Sequence, residues 1–298
     1  MSLKERIRVG VSPLSWTNDV LEDLGGEIPL LTCLREAALA GYQGIELGRK
    51  FPRTQHELQP LLDEEGLQLA SGWFNGFLAE RSVEEELTAV HEHAQLLNAL
   101  GCKVLVYGEC GAMPGEAPLD LPLSASPALE QVSLEEYAAK LCLFAERLWQ
   151  RYALKLAYHH HLMMLVEKDE EVKAFLKATN DHVGIVLDCG HATAAAVDIS
   201  WIIDHYGHRI VHLHLKDVRG DILDAVLSQD KSFNEAVREG LFTVPGEGIV
   251  DYQPVLNFLQ KSSYSGWIII EAEQDPQKAP SFETVVRARQ WALQNVGL

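Results

Sequence analysis

The chain has 298 residues, a hydrophobic fraction of 47%, 23% charged residues and a formal net charge of −18. That length suits two ordinary domains or one large barrel, and the acidic balance lacks the basic footprint of a nucleic-acid binder. No run approaches the ~18 apolar residues of a membrane span, the opening MSLKERIRVG lacks the apolar stretch of a secretory signal, and the five scattered cysteines form no CxxC pair, which together point to a reduced cytoplasmic protein.

Eight short β-rich runs succeed one another: IRVGVSP (7–13), GIELG (44–48), LQLASGWF (67–74), KVLVYGE (103–109), LKLAYHH (154–160), HVGIVLDCGH (182–191), IVHLHLKD (210–217) and WIIIEAEQD (267–275). Most are near-continuous apolar runs, the pattern of strands covered on both faces. Helical patterns lie between them, at 30–41, 82–101 and 133–152. The first ends in glycine, and Ser82 and Ser133 each precede a glutamate by three positions, a capping-box signature. Segments 111–131 and 218–243 read as long loops after the fourth and seventh strands. Strands alternating with helices predict a parallel α/β fold, and eight of them predict a (β/α)8 TIM barrel, a single domain over residues 1–298. The rival is a doubly wound sheet, but the first loop, VSPLSWTND, has no GxGxxG turn.

Polar residues gather at the C-terminal ends of these runs, where such a barrel builds its active site. They are Glu46, Trp73, Glu109, His159, His161, Asp188, His191, His212, His214, Lys216, Glu271 and Glu273. The period-2 alternation of a strand sorts them by face. It splits LAYHHH, putting His159 and His161 on one face and His160 on the other. It also groups His212 with His214 and Lys216, and Glu271 with Glu273. If those faces point inward, His159, Asp188, His214 and Glu271 converge from four successive strands. Mixed imidazole and carboxylate donors suit Mn²⁺, Co²⁺, Fe²⁺ or Zn²⁺ better than Ca²⁺ or Mg²⁺. Each residue alone reads as an ordinary hydrogen-bonded side chain; the signal is the coincidence of four strand ends. The helical His91 and His93 read as solvated, and Trp149 as packing.

LDCGH, HLHLKD and GWIIIEAEQD, in that order, resemble the xylose-isomerase-like barrels. SPLSWTND, GYQGIELGRKFP, SGWFNG, LAYHHH, LDAVL and FTVPGEG together resemble the myo-inosose-2 dehydratases of that superfamily. The resemblance spans residues 9 to 276. It implies a TIM barrel with one divalent ion, Mn²⁺ or Co²⁺, and a part in inositol catabolism: loss of water from 2-keto-myo-inositol to give a trihydroxycyclohexane-dione. Some of these dehydratases associate with glutathione, and no motif here marks a place for it. The superfamily commonly uses Glu, Asp, His and Glu as ligands. Asp188, His214 and Glu271 match the last three, while His159 stands where the sugar epimerases have glutamate, with His161 the other candidate.

The chemistry needs a group to take a proton beside a ketone and another to protonate a departing hydroxide. His191, Lys216, Glu46 and Glu109 are the candidates, without separate assignment as base and acid. Trp16, Trp73, His161 and Glu273 are candidates for binding a small polyol ketone. A sugar isomerase or epimerase, and a polyol-binding barrel without catalysis, are the alternatives. The expected partners are the small-molecule substrate and a homo-oligomeric copy, with neither nucleic acid nor membrane.

Overall fold

The computed structural model describes residues 2–127, 129 and 132–298. Its core is a closed parallel barrel of β1 (Ile7–Val11), β2 (Gly44–Leu47), β3 (Gln68–Gly76), β4 (Val104–Glu109), β5 (Lys155–His159), β6 (Val183–Asp188), β7 (Ile210–Leu215) and β10 (Gly266–Ile270). The ring closes where β1 pairs with β10, Val9 opposite Ile268. The predicted runs overlap these strands one for one, but the predicted ends of the first, sixth, seventh and eighth runs lie two to five residues further on. The ladders run into the polar strand ends, pairing His159 with Val186 and Asp188 with His214, and stop short of Lys216, Glu271 and Glu273.

Outward-facing Val9, Ile45, Leu105, Leu156, Ile185, Leu213 and Ile268 join the surrounding helices in one large apolar cluster. The barrel interior is filled from two sides. Trp267, Ala70 and Ile269 form one plug; Val104, Val106, Ala157 and Val186 form the other. Glycine makes the first possible: a Cβ on Gly44 would stand 2.5 Å from the Trp267 ring.

The helix predicted at 30–41 forms over Leu30–Leu39, and Gly41 follows at φ +86°, a left-handed turn that glycine adopts without strain. The pattern at 82–101 is two helices, Val83–Ala89 and His91–Ala99. Ser82 and Glu85 cap the first reciprocally, and Ser133 caps Leu134–Tyr152 by accepting from Glu136 N at 3.4 Å. Trp149, expected in packing, is 49% exposed.

Segment 218–243 is not a loop. It folds as β8 (Asp217–Val218), helices Gly220–Ser228 and Phe233–Glu239, and β9 (Phe242–Thr243), which pairs antiparallel with β8. Leu223, Val226, Phe233, Val237 and Phe242 form a second apolar cluster over the barrel mouth. The segment after β4 docks on it: Leu123 N donates to Lys231 O at 3.0 Å and Asn234 Nδ2 to Asp120 Oδ1 at 2.7 Å. Residues 128, 130 and 131 of the predicted 111–131 loop lie outside the described residues. Among the described residues no helix is long and apolar enough to cross a membrane.

Trp267 spans the narrow half of the interior, so its truncation leaves a void that backbone-locked neighbours cannot fill. Trp267→Ala is expected to lower unfolding free energy by about 3–5 kcal/mol in denaturant titrations; a loss under about 1 kcal/mol would contradict this account of the interior.

Candidate active site

Asp188 ends β6 and caps the helix Cys189–Ala194, its Oδ1 accepting from His191 N at 2.8 Å. That fixes the carboxylate plane and leaves Oδ2 buried without a hydrogen-bond partner. The register sets His214 beside Asp188 on one side and beside Ile269 on the other, so Glu271, two residues past Ile269, reaches His214. His214 Nδ1 lies 3.5 Å from Asp188 Oδ2 and 3.2 Å from Glu271 Oε2. From β5, His159 Nε2 lies 3.4 Å from the same Asp188 oxygen.

This donor set fits a divalent cation. His214 Nδ1 and Asp188 Oδ2 are both buried, face each other and form no hydrogen bond. Donors about 2.1 Å from a shared ion stand roughly 3.0–3.5 Å apart at the edges of octahedral or tetrahedral shells, which matches the three separations. The electrostatics point the same way. Burial alone would lower the His214 imidazole, but Glu46, Glu271 and Asp188 outweigh it and hold it well above its usual range: the place demands positive charge. His159, Asp188 and His214 present one donor atom each within 4.8 Å of one another; so do Glu46, His212 and His214. The first group has the free lone pairs, whereas in the second Glu46 Oε1 already accepts from both rings, at 2.9 Å from His212 Nε2 and 3.2 Å from His214 Nε2.

Lys216 is 1% exposed. Its ammonium lies 2.5 Å from Glu271 Oε1, 3.9 Å from Asp188 Oδ2 and 3.9 Å from Glu273 Oε2, and over the Phe242 ring at 4.5 Å. Burial opposes the charge, but Glu271, Asp188 and Glu273 hold it protonated well beyond the ordinary range. Gly190 makes room, since a Cβ there would stand 2.6 Å from Lys216 Cγ. His191 sits behind, its Nε2 3.1 Å from Nζ; burial, then His161 and Lys216, push it well below its usual range, leaving it neutral.

These groups open into a cavity of about 780 Å³ at the C-terminal mouth, lined by His159, His161, His214, Lys216, Glu271, Glu273, Glu46 and Trp73. A larger depression, about 1350 Å³, lies at the opposite mouth around strand starts such as Arg8, Lys103 and Lys155; the candidate ligands are not there, apart from His212 in its lining. Trp73 stands edge-on to His159 at 5.3 Å. His161 packs on His191 at 3.8 Å and bonds Leu162 O through Nδ1, whereas His159 lies against Asp188. His160 is buried with both ring nitrogens unpartnered, and burial pushes it down to about 4.

Four expectations change. Glu109 does not face the cavity. Val104 and Val106 occupy the inward positions of β4, so alternation turns Glu109 outward with Leu105 and Tyr107, where it accepts from Leu78 N, Tyr107 Oη and Gly111 N. Trp16 is fully buried outside the cavity, its Nε1 donating to Glu36 at 2.5 Å. Glu46 reaches the cavity, but its Oε1 is engaged by His212, His214 and Ser71; burial would raise it, and the two imidazoles hold it well below its usual range, which makes it a weak base. His93, expected in solvent, is pushed down to about 4 by burial and bonds Gly72 O.

Asn18, Arg49, Arg53 and Asn75 also line the cavity and carried no signal beyond lying near strand ends. Asn18 Nδ2 donates to Glu273 Oε1 at 2.8 Å; burial raises Glu273, against Lys216 and Asn18. Ser71 could have been found, since it lies two residues before Trp73.

The xylose isomerase-like TIM barrel family model matches residues 34–293. The rhizopine catabolism protein MocC of Rhizobium meliloti is 44% identical over 92% of this chain and 83% of its own. Inosose dehydratase 2 of Bacillus cereus is 36% identical over the whole of both chains. A crystal structure of IOLI protein with a bound zinc atom superposes at a TM-score of 0.64 with 18% identity, over 97% of this chain and 98% of that one.

Metal analysis after desalting is expected to find His214→Ala and Asp188→Asn at under a tenth of the divalent ion held by the unaltered chain; full retention in either would sink the assignment. A second prediction concerns Glu109, whose carboxyl burial raises from 4.5 to about 7. The folded state therefore binds the proton more tightly than the unfolded one. The associated stability is complete below about pH 4.5 and is lost as pH rises through about 7, by roughly 3 kcal/mol. Glu109→Gln should flatten this part of the pH dependence of unfolding; an unchanged slope between pH 5 and 8 would contradict it.

Proposed function

This chain belongs to the xylose isomerase-like TIM barrel family and to its inosose dehydratase branch, and on that premise we propose that the cavity eliminates water from 2-keto-myo-inositol. The chain is a carbon–oxygen lyase of inositol catabolism. The observation that carries the site assignment is the meeting of His159, Asp188 and His214, with Glu271 beside His214 and unpartnered lone pairs on Asp188 and His214. A divalent ion held there would polarise the ketone oxygen as a Lewis acid.

The chain's own residues supply the proton transfers. Glu273 lines the cavity and lies 3.9 Å from Lys216. It takes the proton from the carbon beside the ketone. Lys216, held as an ammonium by three carboxylates, gives a proton to the hydroxyl leaving the next carbon, which departs as water. Glu273 then returns its proton to Lys216, restoring both groups, and the unsaturated product relaxes to the dione. Asn18 orients Glu273 through its 2.8 Å hydrogen bond. His191 sits behind Lys216 as a neutral acceptor, and His161, packed at a tilt on His191, keeps water from that pair. Trp73 offers the apolar edge of its ring to the carbon face of the polyol. His159, neutral when it ligates, leaves the cluster one negative charge short of the four-residue set with glutamate in that place.

The same proposal takes Mn²⁺ or Co²⁺ as the working ion, the cytoplasm as the location, and one barrel domain as the working unit, alone or as a homo-oligomer, without nucleic-acid or membrane partners. Glutathione takes no residue in it.

Metal-loaded protein incubated with 2-keto-myo-inositol is expected to yield a dione absorbing in the ultraviolet. Glu273→Gln and Lys216→Met should each lower kcat by about 10²–10⁴-fold, with a much smaller change in KM. An isomeric ketose or aldose as product would instead identify an isomerase.

A further inference from the structure

Beneath His214 the barrel interior holds a polar layer that the proton transfers above do not use. Glu46 comes from β2, Ser71 from β3 and His212 from β7, the last two wholly buried. All three donors fall on one oxygen: Glu46 Oε1 accepts from Ser71 Oγ, from His212 Nε2 at 2.9 Å and from His214 Nε2 at 3.2 Å. The layers next to it are apolar, built from Ala70, Ile269 and Trp267 and from Val106, Ala157 and Val186. A buried carboxylate among such neighbours is costly unless fully paired, and packing alone has no need of it.

An imidazole has two nitrogens, and the bond made by one decides what the other can do. His214 Nε2 points at Glu46 and Nδ1 at Asp188 and Glu271. We propose that Glu46 is a positioning residue. It retains the Nε2 proton of His214, so that Nδ1 is the nitrogen offered to the cation, and its negative charge makes that nitrogen a stronger donor. His212 and Ser71 hold Glu46 in place; His212 donates through Nε2, in keeping with its Nδ1 having no partner. The unit is a carboxylate–histidine pair directed at the ion from inside the barrel, with a second imidazole as its brace. This inference rests on the metal assignment above.

Zinc binding measured by competition with a chromophoric chelator tests it, together with ¹⁵N-histidine spectra of the zinc-loaded protein. Glu46→Gln, close to the native shape, should bind zinc about 10–100-fold more weakly, and the exchange-protected Nε2 proton of His214 should shift to higher field as its acceptor loses charge. Ser71→Ala, which leaves Glu46 in place, should weaken binding several-fold in the same direction, and denaturant unfolding checks that both variants fold. Zinc affinity within threefold of the unaltered chain in a folded Glu46→Gln, or an unmoved Nε2 resonance, overturns the role of Glu46 alone. If the unaltered chain takes up no zinc, the metal assignment fails, and this inference with it.

Discussion

Everything at the barrel mouth depends on one constraint: buried carboxylates outnumber the fixed cations that could balance them. Asp188, Glu271, Glu273 and Glu46 are all under a tenth exposed, and among the described residues Lys216 is the lone buried lysine or arginine seated among them. In a low-dielectric interior such an excess is strongly unfavourable. It is relieved by a second proton on His214 or by a cation between His214, Asp188 and Glu271. The Asp188 cap, the space left by Gly190 and the brace under Glu46 all hold these groups still, against repulsion that would otherwise spread them. A rigid nest of negative charge has a high affinity for a small cation because the cost of assembling it has been met in folding.

That arrangement also explains how one architecture serves several reactions. The barrel brings strand ends together whatever the residues are, and chemistry follows from what stands at each end. In the proposed reaction the ion is held by imidazole and carboxylate, and beside it Lys216 and Glu273, 3.9 Å apart, are the acid and the base. An acid and a base within one proton transfer of each other suit an elimination, in which one proton leaves carbon and another leaves with oxygen. The cap built by the second apolar cluster covers this chemistry without contributing a ligand.

Much of this was legible in the sequence. Apolar runs of strand length ended in polar residues, and alternation alone put His159, Asp188, His214 and Glu271 on converging faces. The same rule, applied to the fourth run, would have turned Glu109 outward, since Val104 and Val106 take the inward positions. Trp16 misled because an aromatic near a strand end can equally pack outward, and only its bond to Glu36 distinguishes the two. Helices Gly220–Ser228 and Phe233–Glu239 were hidden because each is short and carries its apolar residues among charged ones, so their composition resembles a loop. The role of Glu46 was out of reach: its partners, Ser71, His212 and His214, lie 25 to 168 residues away, and sequence spacing says nothing of which oxygen they share.

The central claim is that a single cation sits among His159, Asp188, His214 and Glu271. Anomalous scattering from a manganese-soaked crystal, collected on both sides of a metal absorption edge, tests it most directly. The account predicts one strong peak about 2.1–2.3 Å from a donor atom of each of the four residues. A peak on Glu46, His212 and His214 instead, or none in the barrel mouth at saturating metal, would contradict it.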